Sequence, residues 1–189
     1  MDKLIGTQSI IITLDVDAFL FDKLQKIAQA GFSVVEINSV DEPLLQKAIS
    51  SFPELRIGAG NVVTTQQLET AYQAGAHFVT SPGLLLAIAQ TAAIYSVNYI
   101  PGIATISEAM QAISIGCQHV RPFPANLAFC TLLNKYFPLL RLFPAEVEWD
   151  EVEHFLTLPA VSAVSIINPE YKQLRALKNA SELATTFDA

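Results

Sequence analysis

VNYIPGIATISEAMQAISIGCQHVRPFPA, residues 97–125, holds one full repeat of the pattern on which the chain is built. Val97 to Ile100 is a short extended run, and Pro101-Gly102 falls directly after it. Thr105 stands where a helix N-cap belongs, with Glu108 at capping-box spacing. Ile115-Gly116 then places glycine just past an apolar-periodic segment, where a helix C-terminus needs a left-handed residue. His119 to Pro122 opens the next extended run. Strand, helix and strand in this spacing form the βα unit of a parallel sheet.

The same unit recurs on both sides. Runs at Ser9–Thr13, Ser33–Ile37, Leu55–Gly58, His77–Thr80, Leu139–Phe143 and Val161–Ile167 join the two above, giving eight candidate strands whose starts lie 20 to 24 residues apart. Ala30-Gly31 and Ala74-Gly75 mark helix ends, and Thr64 marks a helix start. Eight such units favour closure, so the expected fold is α/β, a compact (β/α)8 TIM barrel forming a single domain over 1–189. Such barrels normally take about 250 residues, which leaves this chain little beyond minimal loops. An open doubly wound sheet is the alternative, but the one Gly-x-Gly, Gly58-Ala59-Gly60, follows the third strand and lacks the later glycine and acid of a dinucleotide fingerprint.

Composition narrows the function classes. Hydrophobic residues make up 51% of the 189 and charged ones 15%, which excludes a disordered or fibrous chain. Eighteen acidic against 11 basic side chains give a net charge of −7, leaving no basic face for nucleic acid. The richest apolar stretch, Leu84 to Ile103, is interrupted by Gln90, Thr91, Asn98 and Pro101 and reads as buried structure, not a membrane span. Met1-Asp2-Lys3 and the brief run Ile10 to Leu14 carry no export signal. Cys117 and Cys130 have neither metal-ligand nor disulfide-scaffold spacing, which fits core packing in a reducing, cytoplasmic setting.

In a barrel, functional side chains come from strand C-termini and the loops that follow. Period-two alternation puts Val34, Glu36 and Asn38 on one face of the second strand, so Glu36 is a candidate general base in the barrel mouth; its structural reading is a paired or solvent-facing acid. On the sixth strand His119, Arg121 and Phe123 share a face, and a buried guanidinium there needs an anion. Glu36 is the natural partner, with a ligand carboxylate competing and a fixed structural ion pair as the bland reading. Arg121 to Ala125 and Arg141 to Ala145 repeat Arg-x-Phe-Pro-Ala, and Arg141 would attract an anion if it faced the mouth. His77, His119 and His154 lack paired ligand spacing, so no metal site is expected. Glu146, Glu148, Asp150, Glu151 and Glu153 read as the solvated start of a helix.

Taken in order, Glu36, Gly58-Ala59-Gly60, Ser81-Pro82-Gly83, Ile100-Pro101-Gly102-Ile103-Ala104-Thr105-Ile106-Ser107-Glu108 and Phe123-Pro124-Ala125 resemble the 2-keto-3-deoxy-6-phosphogluconate / 4-hydroxy-2-oxoglutarate aldolases, one motif per βα unit over about residues 31–125. The resemblance implies a (β/α)8 barrel, usually trimeric. It also implies a class I lyase that cleaves a 2-keto acid to pyruvate and an aldehyde through a lysine Schiff base, with no added cofactor. Its acid/base glutamate corresponds to Glu36. Its substrate-carboxylate arginine corresponds to Val40, and a threonine after the glycine pair to Asn61. Its Schiff-base lysine corresponds to Arg121, which leaves Glu36 and Arg121 in the catalytic positions. The substrate-binding positions are Asn61, Pro82, Gly83, Pro101, Gly102, Thr105 and Phe123.

The last of those replacements decides the chemistry. A Schiff base needs a neutral amine, whereas arginine stays protonated with a delocalised lone pair. Lys23, Lys26, Lys47 and Lys135 sit in predicted helices, away from the mouth. Loops after the seventh and eighth strands, Phe143-Pro144-Ala145-Glu146-Val147-Glu148 and Ile166-Ile167-Asn168-Pro169, lack the glycines of a phosphate cradle. The expectation is a divergent aldolase-like barrel, a pseudoenzyme for Schiff-base chemistry, that binds a small carboxylate or keto-acid ligand at Glu36 and Arg121. A lyase using Glu36 as a non-covalent base and a non-catalytic oligomeric scaffold are the alternatives.

Overall fold

Strand and helix alternate from the first strand to the eighth in the computed structural model, which describes residues 5, 6, 8–170, 172–174 and 177, and residues 172–174 and 177 after the eighth strand are again helical. The order is β1 (Ile10–Leu14), α1 (Leu20–Gln29), β2 (Val34–Ile37), α2 (Glu42–Ser51), β3 (Arg56–Ala59), α3 (Thr65–Gln73), β4 (Val79–Ser81) and α4 (Leu86–Tyr95). It continues with β5 (Tyr99–Ile103), α5 (Ile106–Ser114), β6 (His119–Pro122), α6 (Leu127–Tyr136), β7 (Arg141–Leu142), α7 (Val152–Leu156) and β8 (Val164–Ile167). The expected domain span of 1–189 and the reading of Met1-Asp2-Lys3 extend beyond the described residues.

All eight strands pair in parallel in the order β7-β6-β5-β4-β3-β2-β1-β8. Chain neighbours are sheet neighbours throughout, which a doubly wound sheet with its reversal of strand order does not allow. The sheet curls until its two edges meet. Leu142 bridges Val161, Leu142 N–H donates to Ala160 O at 2.8 Å, and Ser162 N–H donates to Leu142 O at 2.9 Å.

The capping signals of the sequence are in place. Thr64 accepts from Gln67 N at 3.1 Å, and Thr105 and Glu108 form a complete capping box on α5. Gly31, Gly75 and Gly116 follow their helices at φ 88, 84 and 85. Asp41 and Asn126 cap α2 and α6 in the same manner.

Two apolar clusters show which way the strands face. Ile10, Ile12, Val35, Ile57, Val79 and Val120 pack with helix residues such as Leu24 and Leu45, so this cluster fills the layer between sheet and helices. Their strand neighbours Ile11, Val34, Phe78, Ile100, Phe143 and Ala163 form a separate cluster containing no helix residue, which places it inside the curl. Gly58 is required by this inner packing, since a Cβ there would collide with the Phe78 ring. Gly58→Ala is expected to destabilise by about 1–3 kcal/mol in urea unfolding, because Phe78 is fully buried and cannot swing away.

Three expectations need correction. The fifth strand runs Tyr99–Ile103, so Pro101 and Gly102 lie within it and not in a following loop. Tyr99 to Pro101 pair with β4 while Gly102 and Ile103 pair with β6, the stagger that a curled sheet imposes. Gly102 has no room for a Cβ because the Pro82 carbonyl lies against it. The seventh strand is only Arg141–Leu142, with Leu139 outside it and 91% exposed. The eighth begins at Val164, Val161 contributing only its bridge. Cys130 is buried, its thiol pushed up to about 12 by burial, and Cys117 is half-buried and raised for the same reason; both are free.

Candidate functional site

Following the inner face of each strand one step beyond the apolar cluster leads from Ile11 to Thr13, Val34 to Glu36, Phe78 to Thr80 and Ala163 to Ser165. Arg121 on β6 is level with Gly102. All five side chains, Thr13, Glu36, Thr80, Arg121 and Ser165, are buried, and they form a polar layer on an apolar floor. The register sets Thr13 beside Glu36, Glu36 beside Gly58 and Ile11 beside Ser165.

Glu36 and Arg121 meet across this layer from strands 85 residues apart in sequence. Arg121 Nη1 donates to Glu36 Oε1 at 2.7 Å, to Oε2 at 2.6 Å and to Thr80 Oγ1 at 2.9 Å. Glu36 is 1% exposed and Arg121 7%, so neither charge is hydrated in the ordinary way. A buried pair of this kind holds because each ion answers the other, and removing one strands its partner. Gly60 is part of the arrangement, because a Cβ there would press on Asn38 Oδ1 and Glu36. The cavity beside the pair has a volume of about 10 Å3, room for roughly one water, and is lined by Ile11, Glu36, Thr80, Ile100, Arg121, Phe143 and Ser165.

Above the layer the loops form a second polar group. Asn38 Nδ2 donates to Asp15 Oδ1 and Asn168 Nδ2 to Asp15 Oδ2, each at 2.8 Å, while Asp15 N–H donates to Asn168 Oδ1 at 3.1 Å. This ties the loops after β1, β2 and β8 together. Asn38 shares the Glu36 face as alternation requires. Glu146 is exposed at φ 56, and its N–H donates to Ser165 Oγ at 3.2 Å.

The other sequence-derived positions are more dispersed. Asn61 is exposed after β3 in the left-handed region at φ 60, a conformation asparagine tolerates. Pro82 is exposed and Gly83 half-buried after β4, where Ser81 Oγ donates to Gly83 O at 2.6 Å. Pro101 and Gly102 are buried in β5, Thr105 is engaged by Glu108 in its helix cap, and Phe123 is half-buried beyond β6. None of these seven lines the cavity.

Arg141 does not face the mouth. It opens β7 level with His119, at the opposite end of the strands from Glu36. His119 lies one layer below Arg121, its ring edge-on to Phe143 at 5.7 Å. Lys23 pairs with Asp17 at 2.6 Å on the surface, Lys47 lies over Phe21 and Lys135 over Tyr136. Lys26 lies in the last turn of α1 and Lys172 is exposed, so among the described residues no lysine belongs to the polar layer. Among those residues no group of three His, Cys, Asp or Glu could hold a metal, and no helix is long and apolar enough to cross a membrane.

Thr13, Thr80 and Ser165 were not singled out by the sequence reading. The available signal was the parity already used for Glu36: two residues past an inner apolar side chain on β1, β4 and β8.

A family model described as KDPG and KHG aldolase matches residues 7–171. The 2-dehydro-3-deoxy-phosphogluconate aldolase of Pseudomonas aeruginosa is 29% identical over 162 residues, 82% of this chain and 74% of that protein. The KHG/KDPG aldolase of Escherichia coli K12 is 41% identical over 103 residues, 53% of this chain but only 48% of that protein, so this match spans about half of the relative's length. Among solved structures, the 4-hydroxy-2-oxoglutarate aldolase/2-deydro-3-deoxyphosphogluconate aldolase from TTHB1 has a TM-score of 0.83 at 27% identity, covering 97% of this chain and 98% of that one. KDPG aldolase from Legionella pneumophila, with pyruvate captured at low pH as a covalent carbinolamine intermediate, has a TM-score of 0.75 at 26% identity and coverages of 97% and 95%. With a family match that starts before β1 and ends beyond β8, the chain belongs to the KDPG and KHG aldolase family.

Proposed function

We propose that the chain is a single-domain (β/α)8 barrel of this family that has lost Schiff-base catalysis and holds a small carboxylate-type ligand at Glu36 and Arg121. The observation that carries the reading is the contact of Arg121 Nη1 with both oxygens of Glu36 inside the barrel. By the motif resemblance, residue 121 stands where the family keeps its imine-forming lysine. The Legionella pneumophila relative captures pyruvate as a carbinolamine, which requires a nucleophilic amine. A guanidinium has no lone pair to give at neutral pH.

The loops after β7 and β8 support a ligand without a phosphate. Exposed Glu146 and Glu148 repel one, and the Asn168 side chain is already held by Asp15. A homo-oligomer, trimeric by resemblance, is supported by apolar side chains exposed on consecutive outer helices, among them Ile94 at 79% and Met110 and Tyr136 beyond half. The two free cysteines fit a cytoplasmic setting.

A second reading keeps lyase chemistry without a covalent intermediate. Glu36 would take a proton next to a ligand carbonyl while Arg121 steadies the enolate. The same contact favours it, although both Glu36 oxygens must first leave Nη1.

The test is to supply 2-keto-3-deoxy-6-phosphogluconate and 4-hydroxy-2-oxoglutarate and follow pyruvate release, together with deuterium uptake into pyruvate by NMR. No release above the protein-free control is expected, and no exchange above a Glu36→Gln control. Release overturns the loss of aldolase activity; exchange that depends on Glu36 selects the second reading.

A further inference from the structure

Arg121 makes all of its hydrogen bonds through one nitrogen, Nη1. Its other edge, formed by Nε and Nη2, has no acceptor among the described residues, although the residue is only 7% exposed. Neither nitrogen is one of the fully buried polar atoms that lack a partner, so this edge is open to solvent and a guest can take it in place of water. The guanidinium shares its cavity with Ser165, whose hydroxyl oxygen accepts from Glu146 N–H and whose own hydrogen remains free to donate. Ile11, Ile100 and Phe143 supply the remaining walls, and the volume is about 10 Å3.

We propose that this cavity is a site for one planar, one-carbon oxyanion of the formate or bicarbonate type, bound by two parallel N–H bonds from Arg121 Nε and Nη2 and by the Ser165 hydroxyl. The assignment rests on the reading that residue 121 is a permanent cation turned into the barrel. The fork of a guanidinium matches two oxygens of one anion, carboxylate or phosphate alike, and the narrowness of the cavity favours the planar, smaller one. Size selects further. The space holds about one water, so a one-carbon anion enters with a small outward shift of the walls. Pyruvate and longer keto acids are too large while the Glu36 pair is in place. Glu36 also weakens any guest, because its carboxylate already balances the arginine's charge. Replacing it with glutamine keeps the volume filled, so a tighter guest in that variant reports the arginine's released charge and not added room.

The experiment is a titration of the labelled protein with formate, bicarbonate, pyruvate and inorganic phosphate, following the Arg121 Nε–H resonance by NMR. That resonance is identified by its loss in Arg121→Lys or, should that variant not fold, by its displacement in Ser165→Ala. Formate and bicarbonate are expected to shift it saturably, with Kd on the order of millimolar, and Glu36→Gln to tighten formate by about tenfold or more. The difference between the two Kd values tells a formate site from a bicarbonate site. No shift by either anion overturns the proposal, as does a formate Kd that Glu36→Gln leaves unchanged, or pyruvate moving the resonance as strongly as formate. A pyruvate adduct trapped by borohydride on the unaltered protein would instead remove the reading beneath it.

Discussion

Arg121→Lys is expected to convert a protein that pyruvate and borohydride leave unmodified into one that they label at residue 121. The substitution puts a primary amine near the end of a strand where, on the proposed reading, the inner face carries the surroundings such an amine needs. Ile100 and Phe143 lie against it and desolvation by them favours its neutral form, while Glu36 stands at hydrogen-bond distance to accept or return a proton. Lysine also lacks the planar head of arginine, so the cavity of about 10 Å3 grows and a three-carbon keto acid gains room. Intact-mass measurement followed by peptide mapping should find the adduct at least about tenfold above the background of the unaltered protein, since an activated amine replaces a group with no available lone pair. A folded Arg121→Lys protein with no adduct would mean that the inner layer is closed to keto acids, whatever residue occupies position 121.

Removing the other half of the pair is expected to have the largest effect on stability. Glu36→Ala leaves the Arg121 guanidinium buried at 7% exposure with only Thr80 to accept from it, and breaking a buried pair from one side costs about 3–5 kcal/mol. Urea unfolding of Glu36→Ala should show a loss in that range. The double replacement Glu36→Leu with Arg121→Met should lose far less, since exchanging a whole buried ion pair for apolar side chains of similar volume is often nearly neutral. A loss below about 1 kcal/mol for the single variant would mean that Arg121 finds water or another acceptor once Glu36 is gone. The two stability values together separate a pair kept for the fold from one kept for a ligand. A double variant as stable as the parent leaves binding as the reason for the charges.

Much of this arrangement was legible in the sequence, and its limits have physical causes. The strands were found because each is a short apolar or β-branched run between a helix-ending glycine and a capping residue, as at Ala74-Gly75 before β4 and Thr105 after β5. The Glu36 and Arg121 faces followed from alternation alone, since an acid within Val34-Val35-Glu36-Ile37 stands out on either face. Thr13, Thr80 and Ser165 did not stand out because small hydroxyl residues suit a strand whichever way they point. Heights were the weakest inference. Staggered strands set residues of equal rank at different levels, which is why Arg141, an apparent counterpart of Arg121, lies beside His119 at the far end of the strands. Stagger likewise drew Pro101 and Gly102 into β5, where their composition had suggested a loop.

The most direct measurement is the intact mass of the unaltered protein after incubation with pyruvate and borohydride. With the guanidinium of Arg121 locked to Glu36, the mass should not change. A pyruvate-sized increment, mapped by peptide analysis to any residue of the barrel interior, would contradict the proposed loss of Schiff-base chemistry.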